Sequence, residues 1–211
     1  MALRGPFVLH LYSEVSQTKA CGLLMDRDLV ERKLGFASRR VEGICALIAE
    51  GRLASDVDTR HQLSQEFFLH AVGACEYVAH LANERLKLGL GAKDVTAKAV
   101  KMQVRQPKYP DLLVAAMKAL HVQVGPNRFP ADPYSRDGLF YRLYNYRNTV
   151  AHRGISPFQF SLREGPRIAH LHLDPSDPER GPSTASVDVD VKRMFEVVDQ
   201  RCRKALNLLD P

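Results

Sequence analysis

Residues 55–88 constrain the fold more than any other stretch of the chain. Ser55-Asp56 supplies an N-cap, because a short oxygen-bearing side chain there satisfies an amide that the first helical turn leaves free. Leu63, Phe67, Ala71, Ala74, Val78 and Leu81 then recur at three- and four-residue steps, and the pattern stops near Leu88-Gly89. A helix this long with an apolar stripe must bury that stripe against other elements.

The remaining periodicity supplies helical partners. Val41, Ile44, Cys45 and Ile48 mark a helix over 38–50 that Gly51 stops. Residues 7–34 read as helical with a possible break near 19–22. Weaker or shorter helices are predicted over 95–104 and 111–121, separated by Pro107 and Pro110. Gly125 to Pro133 holds three prolines and a glycine and reads as a loop. A helix over 135–152 follows, with Leu139, Phe140, Leu143, Tyr144 and Val150 as apolar positions. Phe158 to Leu162 and Ile168 to Leu173 alternate like two short strands around the turn Arg163-Glu164-Gly165-Pro166. The polar segment 174–186 is expected to loop over the surface. Met194, Val197, Val198, Ala205, Leu208 and Leu209 mark a final amphipathic helix over 191–209. The expectation is an all-α bundle with a small β-hairpin inserted before its last helix. One domain spans 1–211, with 1–54 as an N-terminal helical elaboration and 55–211 as a core that carries the hairpin at about 158–173.

Composition narrows the function classes. The chain has 211 residues, 45% of them hydrophobic, and no apolar run long enough to span a membrane. The first eleven residues lack a small-residue cleavage site, so no signal peptide is read and a cytoplasmic location is expected. Lys and Arg number 30 against 24 acids, a formal charge of +6, with Arg outnumbering Lys 20 to 10. An Arg-biased positive balance suits an anionic partner such as RNA, and suits an ordinary solvated surface equally. Cys21, Cys45, Cys75 and Cys202 are scattered with no C-x-x-C pair, which excludes a zinc ribbon or a dithiol redox motif. Cys45 and Cys75 sit among apolar helical positions and read as buried thiols. No glycine-rich phosphate loop and no G-x-S-x-G elbow is present.

One constellation carries chemistry. Arg147-Asn148-Thr149-Val150-Ala151-His152 places a permanent cation, a carboxamide and a titratable imidazole within six residues, with Gly154 as a helix stop just beyond. Arg147 can hold a phosphate oxygen and offset charge in a transition state, and His152 can move a proton near neutral pH. Asn148 can orient the imidazole or donate to a phosphate. The stretch from Arg136 to Arg153 has four Arg and one acid, Asp137. Arg142 and Arg153 therefore read as RNA-backbone contacts, and Tyr146, with Tyr141 and Tyr144, as a stacking face for bases. On a regular helix Arg147 and His152 stand about 140° apart, while Asn148 and His152 share a face. Arg and His converge only if the helix end is distorted, if Arg reaches round, or if a second copy completes the site. From the residues alone, a salt-bridged surface Arg and a His favoured by the helix C-terminus fit as well.

The segment resembles the signature of the HEPN superfamily, an Arg, a polar residue, and a His after four to six intervening residues. Here four intervene and the polar residue is Asn148. The surroundings are similar too: a late aromatic helix, a glycine-containing stop, and a closing amphipathic helix. The helix over 63–88, with Glu76 among Gly73, Ala74 and Ala79, resembles the family's first core helix, which often carries an acid facing the motif. The likeness covers roughly residues 56–211. It implies a dimer that joins two motifs across a two-fold axis, and metal-independent cleavage of RNA to a 2′,3′-cyclic phosphate and a 5′-OH, often in a toxin or antiviral role. The implied roles are Arg147 as phosphate stabiliser, His152 as acid/base, Asn148 as orienter and Glu76 as partner of Arg147, although a solvated helix Glu fits position 76 as well. No cofactor or metal is implied, and an antitoxin or nucleotidyltransferase partner is. The alternative is a non-catalytic module of the same shape that binds RNA, a nucleotide or a protein.

Other candidates are weaker. His170, His172 and Asp174 alternate as metal ligands on a strand can, but Pro175 follows and no second ligand cluster exists, so exposed hairpin residues are expected. His61, His70, His80 and His121 lie on helical stretches without a matching constellation and read as surface or satisfied core histidines.

Overall fold

The computed structural model of the chain describes residues 26–104, 108–153, 158–160 and 169–210. Among these residues the chain is mainly helical, with six α-helices and one small antiparallel sheet. The N-terminal part of the helical reading over 7–34, the stop at Gly154 and the turn at 163–166 lie outside the described residues.

Helix α1 (Arg27–Ala49) starts behind the N-cap Asp26 and is continuous, where the sequence read a clear helix only from Ser38. Its buried positions Val30, Leu34, Ala37, Val41, Ile44 and Leu47 form one stripe. That stripe lies along helix α2 (Val57–Arg85), so residues 27–49 belong to the same core as the rest. The predicted cap of α2 forms, with the Asp56 carboxylate accepting the Thr59 N–H at 3.3 Å. Its C-cap is Leu86, and the chain leaves through Lys87 and Gly89, both in the left-handed region (φ 50° and 73°).

Helix α2 is the axis of the molecule. Phe67, Phe68, Ala71, Ala74, Cys75, Val78, Ala79 and Ala82 are all 0% exposed, far more than one stripe. Its neighbours explain the excess: α1 packs on it, as do helix α5 (Arg136–Arg153) and helix α6 (Val187–Leu209). The run of alanines lets these helices approach closely, and each buried Phe contributes about 1.5–3 kcal/mol. Helix α6 buries Val191, Met194, Val198, Cys202, Ala205 and Leu206. The Cys202 Sγ lies 3.8 Å from that of Cys75, so two thiols distant in sequence meet across α2 and α6, while Cys45 is only partly buried.

Two short helices, α3 (Ala97–Gln103) and α4 (Asp111–Ala119), join α2 to α5. Thr96 caps α3 by accepting the Ala99 N–H at 3.0 Å. Ser135 does the same for α5, accepting the Gly138 N–H at 3.0 Å. Gly138 is required there, since a Cβ would stand 2.2 Å from the Asp132 carbonyl oxygen.

The sheet corrects the hairpin reading. Strand β1 (Phe158–Phe160) pairs antiparallel with β2 (Ala169–His172), with Phe158 opposite Leu171. A third strand, β3 (Pro182–Ser186), pairs antiparallel with β2 across an irregularity between His170 and His172. The segment Pro182 to Ser186 carries no apolar alternation, so nothing in its side chains marks a strand. Backbone pairing at a sheet edge holds it, with Pro182 at its first position, where a missing N–H costs least. The strand then runs directly into α6.

Candidate functional site

Helix α5 is buried nearly all round, from Gly138 to Tyr146 without a break. Every polar side chain in that stretch therefore needs an internal partner. Arg142 is 0% exposed and forms a two-pronged ion pair with Asp190 of α6, at 3.2 and 2.6 Å. Burial works against its charge, but the bonds and charge of Asp190 outweigh it and hold the guanidinium pKa above its ordinary value. Asn145 donates to the Asp174 carboxylate at 2.6 Å and to the Ser176 hydroxyl at 3.2 Å.

The tyrosines follow the same rule. The Tyr141 hydroxyl donates to the Gly125 carbonyl at 2.9 Å, and that of Tyr144 to the Leu120 carbonyl at 2.7 Å. The Tyr146 ring stacks on Phe68 with centroids 4.9 Å apart, and its hydroxyl donates to the His172 carbonyl. Burial pushes the Tyr146 pKa above the ordinary phenol value. These placements correct two expectations. Arg142 and Tyr146 cannot touch an RNA strand, because both are sealed inside the bundle. A helix that is central rather than peripheral turns its charges and rings into core.

The environment changes at Arg147 and Asn148, which are the first half-exposed positions after Gly138. The Arg147 Nη1 donates to the Asn148 Oδ1 at 3.1 Å. Among the described residues no carboxylate is in ion-pair contact with Arg147. Glu76 of α2 is the acid nearest in effect, close enough that Arg147 favours its ionised form. The Glu76 carboxylate also accepts the Ala97 N–H at 2.7 Å, the free amide at the start of α3. Burial pushes the Glu76 pKa up, with the Ala97 bond and the Arg147 charge opposing. Of the sequence-derived set, Arg147 and Asn148 are in contact, and the charge of Arg147 acts on Glu76.

The backbone of α5 stays helical through Arg153. No helix break between Arg147 and position 152 relieves the separation of about 140°. The side chains of His152 and Arg153 lie outside the described residues. By helical register, His152 stands over Asn148 rather than over Arg147.

His170, His172 and Asp174 do not converge on a ligand. The His170 Nδ1 contacts the Ala185 carbonyl at 3.0 Å. Asp174 is 1% exposed, contrary to the expectation of a surface residue, because Asn145 and the Ser176 amide and hydroxyl all donate to it. Among the described residues no group of three His, Cys, Asp or Glu side chains is arranged to hold a metal ion.

The sequence reading gave His121 no role beyond a surface or core histidine. His121, just past α4, is half-buried with its ring edge-on to Tyr144, centroids 5.8 Å apart at 86°. Burial lowers its pKa first, and the charges of Lys101 and Lys98 lower it further. Burial pushes the Tyr144 pKa up, and the charges of Glu76 and Arg147 act on it in opposite directions. No spacing rule links positions 98, 101, 121 and 147, which come from α3, α5 and the turn after α4. Comparison of the chain with known protein families, curated proteins and solved structures gives no match.

Proposed function

We propose that the chain is a metal-independent endoribonuclease of the HEPN type, acting as a homodimer. The observation that carries this reading is the contrast along α5. Arg142, Asn145 and the tyrosines are consumed by internal partners, whereas Arg147 is only partly buried and donates to a neutral amide. A partly exposed Arg beside a neutral amide, with no carboxylate in ion-pair contact among the described residues, suits a phosphate contact.

In the proposed reaction the RNA 2′-oxygen attacks the adjacent phosphorus as the bond from phosphorus to the 5′-oxygen breaks. His152 takes the 2′-hydroxyl proton, and a second acid, the partner's copy of the imidazole or water, protonates the leaving 5′-oxygen. Arg147 offsets charge on the non-bridging oxygens, Asn148 orients the imidazole, and Glu76 positions Arg147. The angular gap between Arg147 and His152 favours a pocket shared by two protomers. A toxin or defence role, with an antitoxin or nucleotidyltransferase partner, follows from the family likeness alone.

The test is end-labelled RNA incubated with purified protein in EDTA, with the products analysed for 2′,3′-cyclic phosphate. Arg147→Ala and His152→Ala are each expected to slow cleavage by at least about a hundredfold. RNA binding without cleavage by the unmodified protein would instead support a non-catalytic module of this shape.

A further inference from the structure

We propose that Cys75 and Cys202 are a modification site, a thiol pair that a hydroperoxide converts to a disulfide stapling α6 to α2. The inference does not depend on the ribonuclease reading.

The two residues stand 127 positions apart in the chain, yet their Sγ atoms lie 3.8 Å from each other, in van der Waals contact. Each is 0% exposed and sits inside a long helix, so the surrounding packing sets where its sulfur points. The Cys75 Sγ also faces the Ala71 carbonyl, at 3.9 Å. A disulfide needs Cα atoms about 4.4–6.8 Å apart and sulfurs about 2 Å apart. Helices α2 and α6 bring Cα atoms within 8 Å of one another. Small buried side chains flank both thiols in sequence, Ala71, Ala74 and Ala79 on α2 and Ala205 on α6, and they let the backbones draw close. Rotation of the thiols about their Cα–Cβ bonds, with a small inward shift of the helices, covers the rest.

One equivalent of hydroperoxide balances the chemistry. One thiol gives up its proton, and its sulfur attacks the peroxide as the O–O bond breaks. That sulfur becomes a sulfenic acid, and the departing oxygen leaves as an alcohol, or as water from hydrogen peroxide. The second thiol loses its proton and attacks the sulfenic sulfur. The S–S bond forms and the hydroxyl leaves as water. The thiols give up two electrons and the peroxide takes them.

A buried thiol is inert until it is uncovered. Peroxide therefore enters only when α6 lifts locally from α2, and closure is slow in the resting fold and quicker in one that opens. Once made, the bond joins the two helices that hold α5. Arg142 ties α5 to Asp190 of α6, and Tyr146 stacks on Phe68 of α2. The staple clamps the three-helix frame that carries Arg147.

The experiment uses the full chain, reduced and then freed of reductant, in hydrogen peroxide at neutral pH. Remaining thiols are blocked with N-ethylmaleimide, and intact mass and non-reducing peptide maps read the product. The expected product is intramolecular, with the peptide of Cys75 joined to that of Cys202. Its Tm should rise by about 5–15 °C, because the bond closes a very long loop, and added reductant should reverse the rise. In about 1 M urea, below the unfolding transition, closure should quicken at least about fivefold. Cys21→Ser/Cys45→Ser should behave as the unsubstituted chain. Adding Cys202→Ala to that variant should abolish both the joined peptide and the Tm rise, with circular dichroism checking that it folds. No joined peptide after about a day in excess peroxide, with or without urea, would overturn the proposal. So would a joined product whose Tm does not rise, or a rate that urea leaves unchanged.

Discussion

The ion pair between Arg142 and Asp190 offers the sharpest energetic test, because both side chains are fully buried and the pair joins the site-bearing α5 to α6. Asp190→Ala removes the acid and strands the guanidinium. Its Nε already lacks a partner, and what remains beside the guanidinium is the Tyr146 hydroxyl and the Tyr134 ring at 5.6 Å. Breaking a buried pair from one side costs about 3–5 kcal/mol, since the surviving charge keeps its desolvation penalty and loses its Coulomb gain. With a urea slope of about 2 kcal/mol/M, that cost moves the unfolding midpoint down by about 2 M. Far-UV circular dichroism follows the transition well in a mainly helical chain without tryptophan. The double substitution Arg142→Met/Asp190→Leu removes both charges and fills the space, so it should recover most of the loss. A loss below about 1 kcal/mol for Asp190→Ala, or a double variant no better than the single one, would refute the account of α5 as a helix whose charges are satisfied inside.

Gly138→Ala should lower Tm by about 6–12 °C, as expected for about 3 kcal/mol of overpacking in a chain of this size, because the new Cβ meets backbone at Asp132 and Pro133; differential scanning calorimetry reads it. Burial raises the Glu76 pKa, so the folded state holds that proton more tightly than the unfolded chain. The associated stability is complete below the unfolded value of about 4.3 and is lost as pH rises through the folded one. Glu76→Gln should therefore gain on the unsubstituted protein as pH rises through that window, and a difference independent of pH in urea titrations would discard burial as the cause. Mixing inactive Arg147→Ala and His152→Ala proteins should restore part of the RNA cleavage if one pocket draws on two protomers, and no recovery despite confirmed mixed dimers would reject the shared pocket.

The sequence made the scaffold legible wherever local rules decide. Asp56 caps α2 because its own side chain reaches the Thr59 amide, and Phe67, Ala71, Ala74, Val78 and Leu81 recur because one helix face is buried. Tertiary placement was not legible. Nothing near Arg142 announces a partner 48 positions later in the chain, so its charge read as surface charge. Pro182 to Ser186 has no strand pattern, because an edge strand is held by backbone bonds to β2. Within the candidate site, Arg147 and Asn148 stand out as neighbours of unlike chemistry, and Glu76 was singled out by family likeness. The bond from Glu76 to Ala97 depends on how α3 docks against α2.

Glu76 has one more consequence. Burial pushes its pKa up, and the positive field of Arg147 opposes that rise. An anion arriving at that guanidinium weakens the opposing field, so the Glu76 carboxylate binds a hydrogen ion more tightly. Occupancy is thereby written into the proton inventory, so binding heats measured in buffers of different ionisation enthalpy should diverge.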